Sequence, residues 1–229
     1  MEPLESVATY PTNRDDWLLT VLIGGVIVFL GFLLIPVVFV YGYVIRVIKK
    51  TQTGDTEPPA FEDWGALFVD GLKAWVIGLI YLLIPGFVAA VTIGSALASL
   101  AAGGSPELTA GGLLLGLTLS AILALVFWYV AVAAISNFAR EDSVSAAFDF
   151  TVLKQVVVHR EYAVAWVVSL LVLAAASLVS AIPVLGWILA PFVSFYAFAV
   201  AGYLWSGGIS AALDGQEIPE RAGGEQAAV

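Results

Sequence analysis

Glu62, Asp63, Asp70 and Lys73 crowd into the stretch Pro59–Trp75, and Asp149, Lys154, His159 and Glu161 form a second polar group. Carboxylates of this kind do chemistry when two converge on a substrate as acid and base, or when several side chains close on a metal ion. The spacing argues against both. Glu62 and Asp63 are neighbours, and on a helix their side chains point about 100° apart. Asp63 and Asp70 are seven apart, so they align on a helix but lie roughly 10 Å from each other. His159 is the only histidine, and there are no cysteines. Disulfides, thiolate metal sites and a cysteine nucleophile are therefore excluded. His159 has no second imidazole beside it, so a zinc set is not expected. The expectation is no catalytic, cofactor-binding or metal-binding residue, and no cofactor.

The elements that carry these residues are apolar to an extent rare in water. The chain of 229 residues is 61% hydrophobic and 12% charged, against about 25% charged in a soluble domain. No charge falls in Ala74–Pro106, in Leu108–Ala139 after Glu107, or in Tyr162–Leu213. A membrane span needs ~20 apolar residues. The sequence thus predicts an all-α integral membrane protein with five transmembrane helices: Trp17–Val47, Leu72–Leu100, Gly112–Ser136, Tyr162–Ile182 and Trp187–Ser206. Kinks are expected at Pro36, Pro85 and Pro191, because proline lacks the N–H that an inner turn requires. Residues 1–16 read as an acidic N-terminal tail, 17–210 as one transmembrane domain, and 211–229 as a flexible acidic C-terminal tail. Ile182–Gly186 reads as a tight turn joining the last two spans.

Lysine and arginine placement sets the expected orientation. Arg46, Lys49, Lys50, Lys73, Arg140, Lys154, Arg160 and Arg221 share one side in a five-span arrangement, and Arg14 alone lies opposite. That places the N-terminus outside and the C-terminus in the cytoplasm of a cell membrane. Trp17, Trp75, Trp166, Trp187 and Trp205 fall near expected span ends, where an amphipathic ring favours the headgroup level. Trp128 lies inside the third span and reads as a packing residue. The net charge of −9 argues against nucleic acid as a partner.

Two cytoplasmic juxtamembrane segments then hold the polar residues. On a helical wheel Phe61, Trp64, Phe68, Leu72 and Trp75 share a face, with Glu62, Ala66, Asp70 and Lys73 opposite. Asp70 and Lys73, three apart, are placed to pair. The second segment resembles a diverged copy: Phe148-Asp149-Phe150 answers Phe61-Glu62-Asp63-Trp64, and Ala165-Trp166-Val167 answers Ala74-Trp75-Val76. In it Ala146, Phe150, Leu153 and Val157 share a face. Both read as amphipathic helices at the membrane edge. A further echo links Pro36–Tyr41 to Pro191–Tyr196. The expected partner surface is Phe61, Trp64, Phe68, Asp70, Lys73, Trp75, Phe148, Asp149, His159 and Trp166.

The spans hold no ionisable residue at depth, whereas proton-coupled carriers usually keep one there. Gly112-xxx-Gly116, Ser177-xxx-Ala181 and Ala197-xxx-Ala201 allow close helix packing. The expected function is therefore non-enzymatic: a membrane protein that binds membrane lipid or a membrane protein partner, or assembles as a homo-oligomer. A transporter or channel for a neutral or hydrophobic solute is the alternative, with Pro36, Pro85 and Pro191 as places where a helix could open.

Ile23-Gly24-Gly25, Gly42–Val47, Phe61–Gly65 and Phe68–Ala74, followed by Asn137–Arg140 and Ala147-Phe148-Asp149, resemble the archaeal membrane family catalogued as domain of unknown function 4013. The resemblance covers roughly residues 8 to 210. Members are common in salt-loving archaea, which implies an acidic, halophilic protein. It implies no activity and supplies no catalytic residue.

Overall fold

The computed structural model describes residues 4–214, and every regular element in them is helical. Helices α1 (Leu4–Thr9), α2 (Trp17–Phe29), α3 (Ile35–Gln52), α4 (Trp64–Ala101), α5 (Pro106–Glu141), α6 (Phe150–Val158), α7 (Arg160–Leu178) and α8 (Leu185–Asp214) follow in order, with short 3-10 turns between some of them. Among the described residues four helical stretches are long and apolar enough to cross a membrane: Trp64–Ala101, Pro106–Glu141, Arg160–Ala181 and Leu185–Leu213. Of the expected C-terminal tail, residues 211–214 close α8 and the rest lies outside the described residues.

The first apolar run departs from the expected single kinked span. It breaks at a 3-10 turn, Leu30–Leu33, and Leu34 takes a φ of 64° before α3 begins. Pro36 sits in the first turn of α3, where its missing N–H is no loss. Proline here opens a new helix instead of kinking an old one. At 13 residues α2 spans about 20 Å, short of the ~30 Å of a hydrocarbon layer.

Helix α8 records how the two halves lie. Going along it, Phe192 faces Gly25, Phe195 faces Gly24, and Tyr203 stacks on Tyr10. Its partners on this side run backwards in sequence. On its other side Phe195 meets Tyr43 at 4.8 Å, Gly202 meets Val44 and Val47, and the Ser206 hydroxyl donates to the Ile48 carbonyl at 3.3 Å. Those partners run forwards. So α2 is antiparallel to α8, α3 is parallel to it, and α2–α3 is a hairpin. The glycines make this possible: a Cβ at Gly24 or Gly25 would overlap the Phe195 or Phe192 ring.

By packing, the chain divides into two compact units, one built from residues up to 75 and from 133 onward, the other from 76–132. The first holds a core of Tyr10, Tyr43, Val47, Leu67, Phe195 and Ala199, with Val28, Phe39, Phe61 and Tyr203 against it. Its α3 and the start of α4 touch backbone to backbone, since a Cβ at Gly42 would overlap the Leu67 carbonyl and one at Gly71 the Val38 carbonyl. Ala197 and Ala201, a small-xxx-small pair in α8, are buried. Helices α7 and α8 form the expected hairpin across 179–184, where the Leu185 N–H donates to the Pro183 carbonyl at 2.7 Å. α8 runs unbroken through Pro191.

The second unit is a pair of helical stretches from α4 and α5. α4 continues as one helix through Pro85, whose carbonyl accepts a 2.8 Å bond from the Ser120 hydroxyl. Gly116 lies against Thr92, and the Ser99 and Thr109 hydroxyls share a bond of 3.0 Å. The other glycine of its expected packing pair, Gly112, faces open space.

Candidate functional site at the polar end of the bundle

The ends of α3, α7 and α8 that carry charge meet at one end of the first unit, and the N-terminal segment joins them there. Residues 4–12 are helical, with Val7 and Tyr10 buried, so they are not the tail expected. The stretch Glu5–Thr12 is bent by 85° against Trp17–Leu33. The Tyr196 hydroxyl donates to the Ala8 carbonyl at 2.6 Å. Asn13 Nδ2 donates to the Thr56 carbonyl at 3.3 Å, and Arg14 Nη1 lies 3.5 Å from Glu57 Oε1. The N-terminal segment and the α3–α4 loop therefore sit at the same end, whereas one through-span would separate them.

Two cations organise this end. Arg46, in the last turns of α3, donates to three carbonyls of the turn before α4: Ala60 (3.3 Å), Glu62 (2.5 Å) and Asp63 (3.0 Å). One planar guanidinium thus gathers three carbonyls of the turn. Lys49 donates to Asp70 at 2.9 Å and to Asp142 at 2.6 Å. Burial opposes the charge of Lys49, but its hydrogen bonds to Asp142 and Asp70 outweigh that, and its pKa is raised. The same bond holds the Asp142 carboxyl below the usual carboxylate range. A lattice of Lys50 with Asp55 (3.1 Å) and Glu57 (3.9 Å) continues outward.

The carboxylates singled out in the sequence have local structural work. Asp63 takes a φ of 42°, and its side chain accepts from the Ala66 N–H at 3.2 Å, while its carbonyl accepts from Leu67 at 3.0 Å. It caps α4. Asp149 accepts from Thr151 at 3.0 Å and Val152 at 3.2 Å and caps α6. Both polar segments thus carry an aspartate cap. Asp70 pairs with Lys49 and not with Lys73, whose ammonium lies 6.0 Å from the centre of the Phe138 ring. Lys49 comes from another helix, so the sequence-local pair loses to a tertiary one.

The aromatic residues divide. Phe61 lies outside α4 and stacks on Tyr43 (4.9 Å) and Trp64 (5.5 Å). Phe39 takes Trp64 and Phe68 on its ring, each at 5.6 Å. The stripe of α4 that buries itself is Leu67, Gly71, Ala74 and Ile77, not the expected aromatic one: Trp64 and Leu72 are exposed. The reason is close approach, because only a glycine at position 71 lets α3 come near enough. In α6 the buried residues are Leu153 and Val156, while Phe150 is exposed rather than inward. Phe148 and Trp75 are half-buried. Trp166 is buried, as is Trp205, whose indole N–H donates to Ser169 Oγ at 2.8 Å. These two rings pack inside the first unit, whereas Trp187 is exposed. His159 occupies the corner between α6 and α7, half-buried, with Nδ1 shielded and without a hydrogen-bond partner.

Sequence reasoning missed the roles of Arg46 and Lys49, the Tyr10–Tyr203 stack at 4.3 Å, and the aromatic core around Phe195. The signal available was the glycine pairs at 24–25 and at 42 and 71, which mark close helix contacts. Among the described residues no group of three or more histidine, cysteine or acidic side chains is placed to hold a metal ion.

The sequence profile described as Protein of unknown function (DUF4013) matches residues 26–185, well over half of the chain. The chain belongs to this family. All ten residues of the expected partner surface fall inside the DUF4013 stretch, and Phe195, Tyr203 and Trp205 lie beyond it. Nothing among the curated proteins or the solved structures matches the chain.

Proposed function

We propose that this DUF4013 member is a non-enzymatic, multi-pass membrane protein that holds lipid or a membrane protein partner at its charged end. Four helices cross the membrane, and the α2–α3 hairpin enters and leaves on one side. The N-terminus then joins the basic residues, so all nine lysines and arginines, Arg14 included, share the cytoplasmic side with both termini. This replaces the outside N-terminus expected from a single first span. The exposed tip, Phe29 to Ile35, meets the hydrocarbon. The acidic composition fits an archaeal, salt-adapted surface.

The observation that carries this reading is Lys49 on Asp70 and Asp142. It ties the first juxtamembrane segment to the start of the second, and the carboxylates around it serve as caps and ion pairs. A polar cleft of about 780 Å³ opens beside it, lined by Asn137, Arg140, Ser143, Asp149 and Gln155. Native mass spectrometry of the protein purified from its own membrane is the test: lipid or partner should stay bound and be lost in Lys49→Ala. Catalysed turnover of a lipid or peptide, lost on one substitution, would overturn the reading.

A transporter for a neutral or hydrophobic solute is the second reading. The break at Leu30–Leu34 favours it, since interrupted helices free backbone carbonyls inside a membrane. Proteoliposomes that carry such a solute faster than protein-free vesicles would support it.

A further inference from the structure

A cavity of about 370 Å³ lies among α1, α3, α7 and α8. Its volume falls within the range of small-molecule sites, about 300–1,000 Å³. Apolar side chains of Val7, Ala165, Val168 and Leu204 line much of it. Glu161, Thr51, Ser206 and Ser210 are polar residues of the lining. Glu161 is the one charged residue in the lining, and among the described residues it takes part in no ion pair. Thr51 Oγ1 is shielded from water and neighbours the buried Tyr10 hydroxyl. Gly207 also lines the space, and a Cβ added there meets nothing within 4 Å.

A single carboxylate, hydroxyl acceptors and an apolar wall suit a primary ammonium on an alkyl stem. The ammonium offers three donors, and a charge-assisted bond to Glu161 is the stronger kind. An anionic head would meet a carboxylate with no cation to offset it. We infer that this cavity binds the ammonium head of an amphiphile, with Glu161 receiving the head and Ala165, Val168 and Leu204 receiving the stem. The inference deepens the lipid-holding reading, on which the source of the ammonium rests. A lipid headgroup and a free alkylamine share this chemistry.

The test uses the full chain in a neutral detergent, with dodecylammonium as probe and calorimetry as readout. Saturable binding is expected, weakened at least tenfold in Glu161→Gln, with dodecanol binding unchanged by that substitution. Gly207→Phe should abolish binding of both probes while leaving the melting temperature without ligand in place, since the new ring enters open space. Equal dodecylammonium affinity in Glu161→Gln, or full binding in Gly207→Phe, overturns the site. Bilayer discs of phosphatidylethanolamine that displace the probe, where phosphatidylglycerol discs do not, identify a lipid head. Butylammonium binding as tightly as dodecylammonium identifies a soluble amine instead; the site then stands and the lipid-holding reading fails.

Discussion

Arg14 and Glu57 face each other across 3.5 Å, although a straight first span would put them on opposite sides of a membrane. With Asn13 on the Thr56 carbonyl, the pair fixes the N-terminal segment to the α3–α4 loop. The exposed ion pair itself is weak, of the order of 0–1 kcal/mol. It reports the topology; the α2–α3 hairpin packed on α8 creates it.

Labelling tests that topology directly, because the chain has no native cysteine. Single Ser6→Cys and Thr53→Cys variants should react with a membrane-impermeant maleimide from the same side. Ser180→Cys, in the turn between α7 and α8, should react from the other. Ser6→Cys and Ser180→Cys labelling together would restore a through-span for the first run.

Removing Lys49 should destabilise more than removing either partner alone. Lys49→Ala leaves Asp70, whose side chain is 20% exposed, without its ammonium. The expected loss is about 1–2 kcal/mol, between an exposed ion pair and a buried charged hydrogen bond. A double-mutant cycle of Lys49→Ala with Asp70→Asn, followed by thermal unfolding in detergent, should show coupling. Additive effects would separate the two residues.

Acid should loosen the same cluster. The hydrogen bond from Lys49 holds the Asp142 carboxyl low, and the Glu57 N–H and then Lys50 hold Asp55 low. A depressed folded pKa contributes stability that is present above the unfolded value, about 3.9, and lost as pH falls through the folded one. Melting temperatures of wild type and Asp142→Asn should therefore differ at pH 7 and converge below about pH 3. Molar salt should narrow the gap at pH 7, since Asp142 is exposed.

Glycine substitutions should separate packed from open helix faces. Gly42→Ala and Gly71→Ala push a Cβ into a facing backbone carbonyl, which must move. A loss of roughly 2 kcal/mol or more is expected for each. Gly86→Ala and Gly94→Ala meet open space and gain helix propensity, so they should be neutral or stabilising by up to about 1 kcal/mol. Thermal unfolding of the four variants ranks them, and equal losses would disprove the close α3–α4 contact.

The amino-acid order by itself determined that the chain is helical and carries runs long and apolar enough to cross a membrane, because charge-free runs of this length are poorly solvated by water. It located the α7–α8 turn at Pro183 and the polar segments around Asp63 and Asp149, since prolines, charges and caps act over a few residues. It did not determine that the first apolar run folds back. Pro36 marks a weak point, but whether a helix kinks or reverses there depends on what lies beside it, here Phe192 and Phe195 of α8 against Gly24 and Gly25. Nor did it select the partner of Asp70. Local spacing offered Lys73, and the tertiary structure brought Lys49, because a helix wheel ranks neighbours along one helix while pairing is decided by whichever charge another helix delivers at hydrogen-bond distance.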